Sequence, residues 1–310
     1  MHELLLPLED TITTPNNPEP GRLDLHHVLR ARRQAFRALH EQGCFVIPNP
    51  WDVGSARYLQ YLGFPAVATT SAGFAFSQGL PDTDVAVSRE RTLRNIAEIT
   101  AAVDLPVNAD FSSGYGTTPD DVADSVTRCV ATGVAGLSIE DATGDEAIPL
   151  YELSVAIERV KAAREAIDRS GGGVLLTARA ECYHVGHPDA LRESIRRLQA
   201  YAVAGADVLF APGAQKPEEI KALVQAIHPK PFNLLVVRDI GLGVDDIAAL
   251  GVRRISVGGA FALAGWTAFM RAAQSLKSNG SFSGLADLTP YPEINGFLAS
   301  DLRAREARAL

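Results

Sequence analysis

The feature that most constrains the fold is a regular alternation of short apolar runs with longer amphipathic segments. Each run is too brief for a helix, and it is apolar on both faces, as expected for a parallel β-strand that is covered on both sides. Eight such runs occupy residues 44–48, 66–70, 106–110, 136–140, 174–179, 207–211, 232–237 and 254–258.

The intervening segments carry the signals of helices. In one of them Thr118 is a typical N-cap, Pro119 suits the first helical position, and the acidic residues that follow suit the helix dipole. Eight strands alternating with eight helices predict a (β/α)8 TIM barrel of the α/β class. The first strand is not followed by GxGxxG, which argues against a dinucleotide-binding sheet. The predicted helices are 53–63, 89–103, 118–133, 151–171, 187–205, 216–227, 243–251 and 259–276.

The two ends of the chain lie outside this repeat. Residues 1–28 are polar and rich in Pro and Asn, and we predict a flexible N-terminal arm there. Residues 29–310 are predicted to form a single barrel domain. Its last stretch, 290–310, adds a C-terminal helical element after the eighth barrel helix.

Composition excludes several classes of function. The 29 basic and 37 acidic side chains give a net charge of −8, which argues against nucleic-acid partners and anionic membranes. No apolar run approaches the roughly 18 residues of a membrane span, and the N-terminus lacks the basic start of a signal peptide. The 3 cysteines are too few and too scattered for a disulfide framework or a zinc site. These features predict a cytoplasmic protein.

Polar side chains stand where the predicted strands end, which is the catalytic face of a TIM barrel. Asp110, Glu140 and Arg179 end the third, fourth and fifth strands, and Asp82 lies in the loop after the second. Converging carboxylates repel one another unless a cation lies among them, and ligands that are all oxygen suit Mg²⁺ or Mn²⁺. Arg179 suits the carboxylate of a substrate. The pattern predicts a metal-dependent enzyme that acts on a 2-oxo acid or an enolate.

Each of these residues also has a structural interpretation. Asp110 and Asp82 are residues that commonly cap turns, Glu140 is placed to cap a helix or pair with Arg179, and Arg179 itself suits a structural ion pair. The functional interpretation is favoured because all four converge on one face. His184 and His187 lie in the loop after the fifth strand, and we attribute them to a solvated loop rather than to a metal site.

Several stretches resemble the isocitrate lyase/phosphoenolpyruvate mutase superfamily, and its phosphoenolpyruvate-mutase-like branch most closely. The resemblance covers residues 35–298. It rests on NPWDVGSARYLQYLGFPAVATTSAGFAFSQGLPD, PVNADFSSGYG, GVAGLSIEDATG, TARAECY and GADVLFAPGA, in that order along the chain.

The resemblance implies a barrel whose eighth helix is exchanged with a partner subunit, which gives homodimers or homotetramers. It implies Mg²⁺ (or Mn²⁺) and small 2-oxo or 2-hydroxy acids, or phosphonopyruvate, as substrates. The bonds broken or formed are C–C or P–C bonds next to an enolate.

The resemblance also assigns roles to individual residues. Asp110 matches the direct metal ligand, Glu140 a carboxylate that reaches the metal through water, and Asp82 the loop carboxylate behind it. Arg179 matches the substrate-binding arginine, and Glu181 is the acid that supports it.

Four further residues complete the predicted site. Thr70 and its neighbour Ser71 match the segment that meets the substrate carboxylate. Asn233, on the seventh strand, is a further candidate for substrate binding. The proton carrier has no clear match, and Tyr115 in the GYG turn is one candidate, beside Ser112 and a metal-bound water.

The chain also departs from the family pattern. The second carboxylate of the family's metal motif is replaced by Ser112, and the stretch EDATGDEAIPL after the fourth strand has no Cys, Lys or His. A histidine of the mutases is replaced by Pro212. These changes argue against isocitrate lyase, methylisocitrate lyase and phosphoenolpyruvate mutase activity. We predict a Mg²⁺-dependent carbon–carbon lyase, with P–C chemistry and a weakened, acid-binding family member as alternatives.

Overall fold

A computed structural model describes residues 25–309 of the chain. The predicted arm lies outside the described residues except for residues 25–28, which begin the first helix. Eight strands form one parallel sheet in the order β1-β8-β7-β6-β5-β4-β3-β2. They are β1 (Phe45–Ile47), β2 (Val67–Ala68), β3 (Val107–Asp110), β4 (Gly136–Glu140), β5 (Leu175–Arg179), β6 (Val208–Phe210), β7 (Phe232–Leu235) and β8 (Arg254–Ser256).

The sheet curls into a barrel, and hydrogen bonds bring its two edge strands together. The N–H of Ala68 in β2 donates to the carbonyl of Pro48, just after β1, at 3.0 Å. The Asn49 side chain adds to this closure, because its Oδ1 accepts from the N–H groups of Val257 and Gly258 and its Nδ2 donates to Thr69 O. The predicted (β/α)8 barrel is confirmed.

Eleven α-helices and one 3₁₀ turn are found in residues 25–309, and the eight predicted helices are among them. Two further helices, α1 and α3, were not predicted, and α3 begins where Thr70 Oγ1 accepts from Gly73 N–H at 3.2 Å. The helices are α1 (Leu25–Leu39), α2 (Val53–Tyr61), α3 (Ser71–Ser77), α4 (Arg89–Ala102), α5 (Pro119–Ala131), α6 (Leu153–Arg169), α7 (Ala190–Val203), α8 (Pro217–Ile227), α9 (Val244–Ala249), α10 (Ala260–Asn279) and α11 (Tyr291–Ala309).

Apolar side chains pack beside the buried Arg254 in the N-terminal half of the barrel, and helix α1 closes that end. Strand side chains alternate between the two faces, so Phe45 shares the inner face with Ile47, which lines the cavity described below. Phe36 of α1 is fully buried against this inner layer, and its ring lies 6.5 Å from that of Phe45, edge to face. The interior is therefore a packed core at one end and open at the other.

The predicted C-terminal element is helix α11, which packs on α2. Arg57 of α2 pairs with Asp301 at 2.7 Å, and the Phe297 ring lies against Tyr58 and Tyr61. Helix α10 leaves many apolar side chains exposed, and the exchange of a barrel helix between subunits stays a prediction. None of the helices in the described part of the chain is long and apolar enough to cross a membrane. The exposed apolar residues of α10 are Phe261, Leu263, Trp266, Phe269, Met270 and Leu276.

Phe36→Ala is expected to lower the free energy of unfolding by about 3–5 kcal/mol, because it opens a cavity at the closed end of the barrel. Urea unfolding followed by far-UV circular dichroism measures this change. Leu62→Ala, at a half-exposed position, is the control and is expected to cost less than about 1 kcal/mol. Equal losses in the two variants would contradict the role given to Phe36.

Candidate active site

A cavity of about 180 Å³ opens at the C-terminal end of the barrel strands. This is the end at which TIM-barrel enzymes place their catalytic residues. Glu140, Glu181 and Tyr115 are not among the lining residues. Six of the nine predicted site residues do line the cavity: Thr70, Ser71, Asp82, Asp110, Arg179 and Asn233.

The Arg179 guanidinium joins three carboxylates at the mouth of the barrel. Its Nη1 lies 2.8 Å from Asp110 and 3.1 Å from Glu140, and its Nε lies 2.8 Å from Glu181. The β4–β5 register places Glu140 directly beside Arg179. The described contacts of Arg179 use Nε and Nη1, so the two N–H bonds of Nη2 remain for a ligand.

Backbone and hydroxyl groups fix the orientation of Asp110. Its own N–H donates to Thr69 Oγ1 at 2.9 Å, and its Oδ2 accepts from the N–H of Ser71 at 3.0 Å. The Ser71 hydroxyl then reaches Asp82 at 3.4 Å. The start of α3 therefore links two of the predicted metal ligands, and this is why Ser71 belongs to the site.

Negative charge exceeds positive charge around Arg179. Burial, together with the charge of Asp110, raises the pKa of Asp82 to about 6. Burial also raises the pKa of Glu140 well above its ordinary value, because Arg179 offsets the loss of hydration only in part. Both shifts are typical of carboxylates that lack a sufficient cationic partner.

Glu181 connects Arg179 to His184. One carboxylate oxygen accepts from Arg179 Nε, and the other lies 3.2 Å from His184 Nδ1. Burial opposes ionisation of Glu181, but Arg179 and His184 outweigh it and lower the pKa of Glu181. His184 lies in the turn after β5 with 71% of its side chain exposed, in agreement with the predicted solvated loop. It also lines the cavity, and this contact with the site was not predicted. The signal was its spacing of three residues from Glu181.

A second buried ion pair holds the backbone of Glu181. Asp141, the residue after Glu140, accepts from the Glu181 N–H at 2.8 Å and pairs with Arg197 at 3.0 Å. The Tyr201 hydroxyl donates to the same carboxylate. Asp141 therefore positions Glu181 from outside the cavity.

The predicted proton carrier Tyr115 lies beside the cavity, in a turn of unusual backbone conformation. Ser112 and Tyr115 have φ values of 46° and 50°, in the left-handed region that non-glycine residues seldom adopt. The Tyr115 hydroxyl is 2.8 Å from Thr92 Oγ1, and burial raises the pKa of Tyr115 to about 12. The Arg159 guanidinium holds the turn by donating to the carbonyls of Ser113, Gly116 and Thr117.

Two lining residues use their polar groups inside the protein. The Thr70 hydroxyl caps α3, and the Asn233 amide lies between Arg254 and Ser256, accepting from Arg254 Nε at 2.7 Å and donating to Ser256 Oγ at 2.9 Å. Arg254 lines the cavity but was not singled out from the sequence. The available signal was an arginine at the first position of a predicted buried strand.

The lining groups around Asp110 suit a hard divalent cation by their chemistry. The potential ligands are oxygen atoms of Asp110, Asp82 and Ser71, and the excess of carboxylates favours a cation there. In residues 25–309, however, no three His, Cys, Asp or Glu side chains are already gathered into a metal-binding group. Asp110 contacts Arg179 through Oδ1 and Ser71 through Oδ2, and each oxygen keeps a further lone pair that a cation could use.

Comparison with known proteins identifies the family. The sequence model described as phosphoenolpyruvate phosphomutase matches residues 36–277. The chain belongs to this family. It is therefore an enzyme of the isocitrate lyase/phosphoenolpyruvate mutase superfamily, whose matching members are lyases and mutases that act on small acids.

Three relatives illustrate the range of similarity. A protein from Burkholderia cenocepacia J2315, assigned provisionally as a lyase/mutase, is 44% identical, with a TM-score of 0.83 over 88% of this chain and 97% of that structure. The uncharacterized protein Rv1998c of Mycobacterium tuberculosis is 35% identical over 85% of this chain and 96% of its own length. Oxaloacetate decarboxylase of Bradyrhizobium diazoefficiens is 28% identical over 90% of this chain and 93% of its own length.

Proposed function

We propose that this protein is a Mg²⁺-dependent carbon–carbon lyase that cleaves or decarboxylates a small 2-oxo or 2-hydroxy acid. The observation that carries the proposal is the Arg179 cluster at the open end of the barrel, where Asp110 and Glu140 share one amino group of the guanidinium. The similarity to an oxaloacetate decarboxylase supports the same class of reaction.

Arg179 is the residue best placed to hold the substrate carboxylate. Its Nη2 has two N–H bonds available, and a guanidinium binds a carboxylate with a defined orientation. Glu140 and Glu181 hold the other side of the guanidinium, which fixes its plane before the substrate arrives. The Phe210 ring forms an apolar wall of the cavity beside Arg179, and its centroid lies 5.1 Å from the guanidinium carbon.

Asp110 and Asp82 would hold Mg²⁺, with Glu140 contributing charge from behind Arg179. A bound Mg²⁺ supplies electrostatic stabilisation of the negative charge that develops on the oxygen of the substrate. Ser71 orients Asp110 through its N–H and Asp82 through its hydroxyl. Ser112 brings no charge of its own, so Asp110 carries most of the electrostatic attraction for the cation.

His184 is the side chain best placed to move a proton. When the C–C bond breaks, its electron pair stays on the enolate of the product, and the enolate carbon then takes a proton. The Nδ1 of His184 contacts Glu181, and its Nε2 has no contact among the described residues. A buried carboxylate that orients an imidazole in this way is a common arrangement in acid–base catalysis.

Oxaloacetate, malate, pyruvate and phosphonopyruvate form the assay panel, with and without Mg²⁺. We expect C–C cleavage or decarboxylation of an acid in this panel only with Mg²⁺. Asp110→Asn is expected to reduce kcat/KM by roughly 100-fold or more, because it removes the main attraction for the cation. Asp168→Asn, at an exposed carboxylate of α6, is the control and is expected to retain full activity.

The same assay tests the alternatives. Turnover of phosphonopyruvate alone would favour P–C chemistry. Mg²⁺-dependent binding of an acid without turnover would favour a non-catalytic family member. Equal turnover by the wild type and by Asp110→Asn would contradict the proposed metal site.

His184→Gln is expected to lower kcat by roughly 100-fold, in the range found for loss of a general acid. The hydrogen bond to Glu181 raises the pKa of His184, with Asp82 adding to the shift and Arg179 opposing it. A raised pKa extends the acid form of His184 to higher pH than in a free imidazole, and wild-type activity is expected to fall as the pH rises through that pKa. The His184→Gln variant is expected to lose this decrease of activity at high pH.

His187→Gln is the matched control, because the ring of His187 lies outside the cavity lining. Equal effects of the two changes would contradict the role of His184.

We also propose that the apolar face of α10 packs against a second copy of this chain, as the resemblance to the superfamily implies. Trp266, Phe269 and Met270 are exposed in the single chain, and their burial is the expected driving force. Light scattering after size-exclusion chromatography is expected to show a dimer or tetramer. Phe269→Lys is expected to yield monomers, and a monomeric wild type would overturn the proposal.

A further inference from the structure

Arg254 lies deep in the barrel, at the floor of the cavity. It is the first residue of β8, two residues before Ser256, which lines the cavity from the same strand face. Only 3% of Arg254 is exposed. Its side chain reaches across the interior from β8 to β5, where its Nη2 donates to Thr177 Oγ1 at 3.1 Å.

Every described partner of Arg254 is uncharged. Nε donates to Asn233 Oδ1 at 2.7 Å, and Nη1 lies 3.4 Å from His40 Nε2. His40 contacts the carbonyl of Phe36 through Nδ1, so its Nε2 accepts from Arg254. Burial and the charge of Arg254 lower the pKa of His40 to about 3, and the imidazole is therefore neutral.

The environment of Arg254 differs from that of the other buried arginines of the barrel. Arg179 and Arg197 pair with carboxylates, and the donors of Arg159 meet backbone carbonyls. Among the described residues, no Asp or Glu pairs with Arg254, and burial alone lowers its pKa to about 9. A buried cation without a counter-ion is costly, so the fold retains it at a loss of stability.

The position of Arg254 relative to Arg179 suggests what would balance this charge. Thr177, the partner of Arg254, precedes Arg179 by two residues on β5, which places it about 7 Å deeper along the strand. The three hydrogen bonds of Arg254 leave two of its five N–H bonds for a ligand.

We infer that Arg254 binds a second anionic group of the substrate, so that the cavity selects small dicarboxylic acids over monocarboxylic acids of the same length. This inference rests on the proposed function, because it assumes that the first carboxylate is held at Arg179. The two guanidinium groups then lie at different depths of one cavity, and a dicarboxylate satisfies both.

Malate and 2-hydroxybutyrate are the probes, since they share a four-carbon chain and a hydroxyl and differ only in one carboxylate. Isothermal titration with saturating Mg²⁺ gives the dissociation constant of each acid. The wild type is expected to bind malate roughly 10- to 100-fold more tightly than 2-hydroxybutyrate, because only malate forms the second charged hydrogen-bonded pair. Arg254→Met is expected to reduce this ratio to about 1–3 and to change the affinity for 2-hydroxybutyrate by less than about threefold.

Two further variants separate recognition from structural support. Arg254→Lys keeps the charge and is expected to retain part of the preference for malate. If Arg254→Met does not fold, the ratio of the two dissociation constants is measured on Arg254→Lys instead. Arg253→Met removes the neighbouring arginine, which lies outside the cavity lining, and is expected to leave the ratio unchanged. Equal weakening of both acids by Arg254→Met, or an unchanged ratio in Arg254→Met and Arg254→Lys, would overturn the inference.

Turnover of the four acids of the assay panel, measured on the same samples, separates this inference from the proposed function. A wild type that prefers malate but releases no product from any acid contradicts the lyase activity and supports the anion site. A wild type that turns over an acid of the panel but binds malate and 2-hydroxybutyrate equally well contradicts the anion site and leaves the lyase activity standing.

Discussion

The site depends on one guanidinium that three strand ends share. Asp110 and Glu140 come from separate parts of the chain, and the parallel barrel brings them within 3.1 Å of Arg179, whereas Glu181 follows Arg179 by two residues. Each of these carboxylates alone would be costly to bury, and together they would repel one another. Arg179 makes their approach possible, and its Nη2 has no hydrogen-bond partner among the described residues.

The distribution of charge then accounts for the chemistry. Around Arg179 carboxylates are in excess, whereas the floor of the cavity has Arg254 without an anionic partner. A cavity that is negative at one depth and positive at another suits a ligand made of a cation and an anionic acid. Neither charge is balanced within the described protein, and binding of such a ligand would balance both.

Much of the fold was predictable, because parallel strands that are covered on both faces leave a strong apolar pattern. Helix α3 was missed because its seven residues, SAGFAFS, are short and follow the strand without a break. Helix α1 was missed because its Arg-rich sequence follows the stretch taken as an arm, and its role depends on Phe36 reaching the distant Phe45.

The residues at the strand ends were predictable because topology alone brings them to one face. The residues that act through a partner side chain could not be predicted from the sequence. His184 is oriented by Glu181, and Asp141 acts through the backbone of Glu181 rather than in the cavity. Arg254 lies within a strand, and its lack of a carboxylate partner is a property of the whole barrel that no local pattern encodes.

The most direct test of the account is the melting temperature of the wild-type protein with malate, with Mg²⁺, with both and with neither. A ligand that binds only the native state raises the melting temperature, and the rise grows with the ratio of its concentration to its dissociation constant. The account predicts a small effect of either component alone and a clear rise with both together, because the acid and the cation balance opposite charges of one cavity. Four identical melting curves would contradict it.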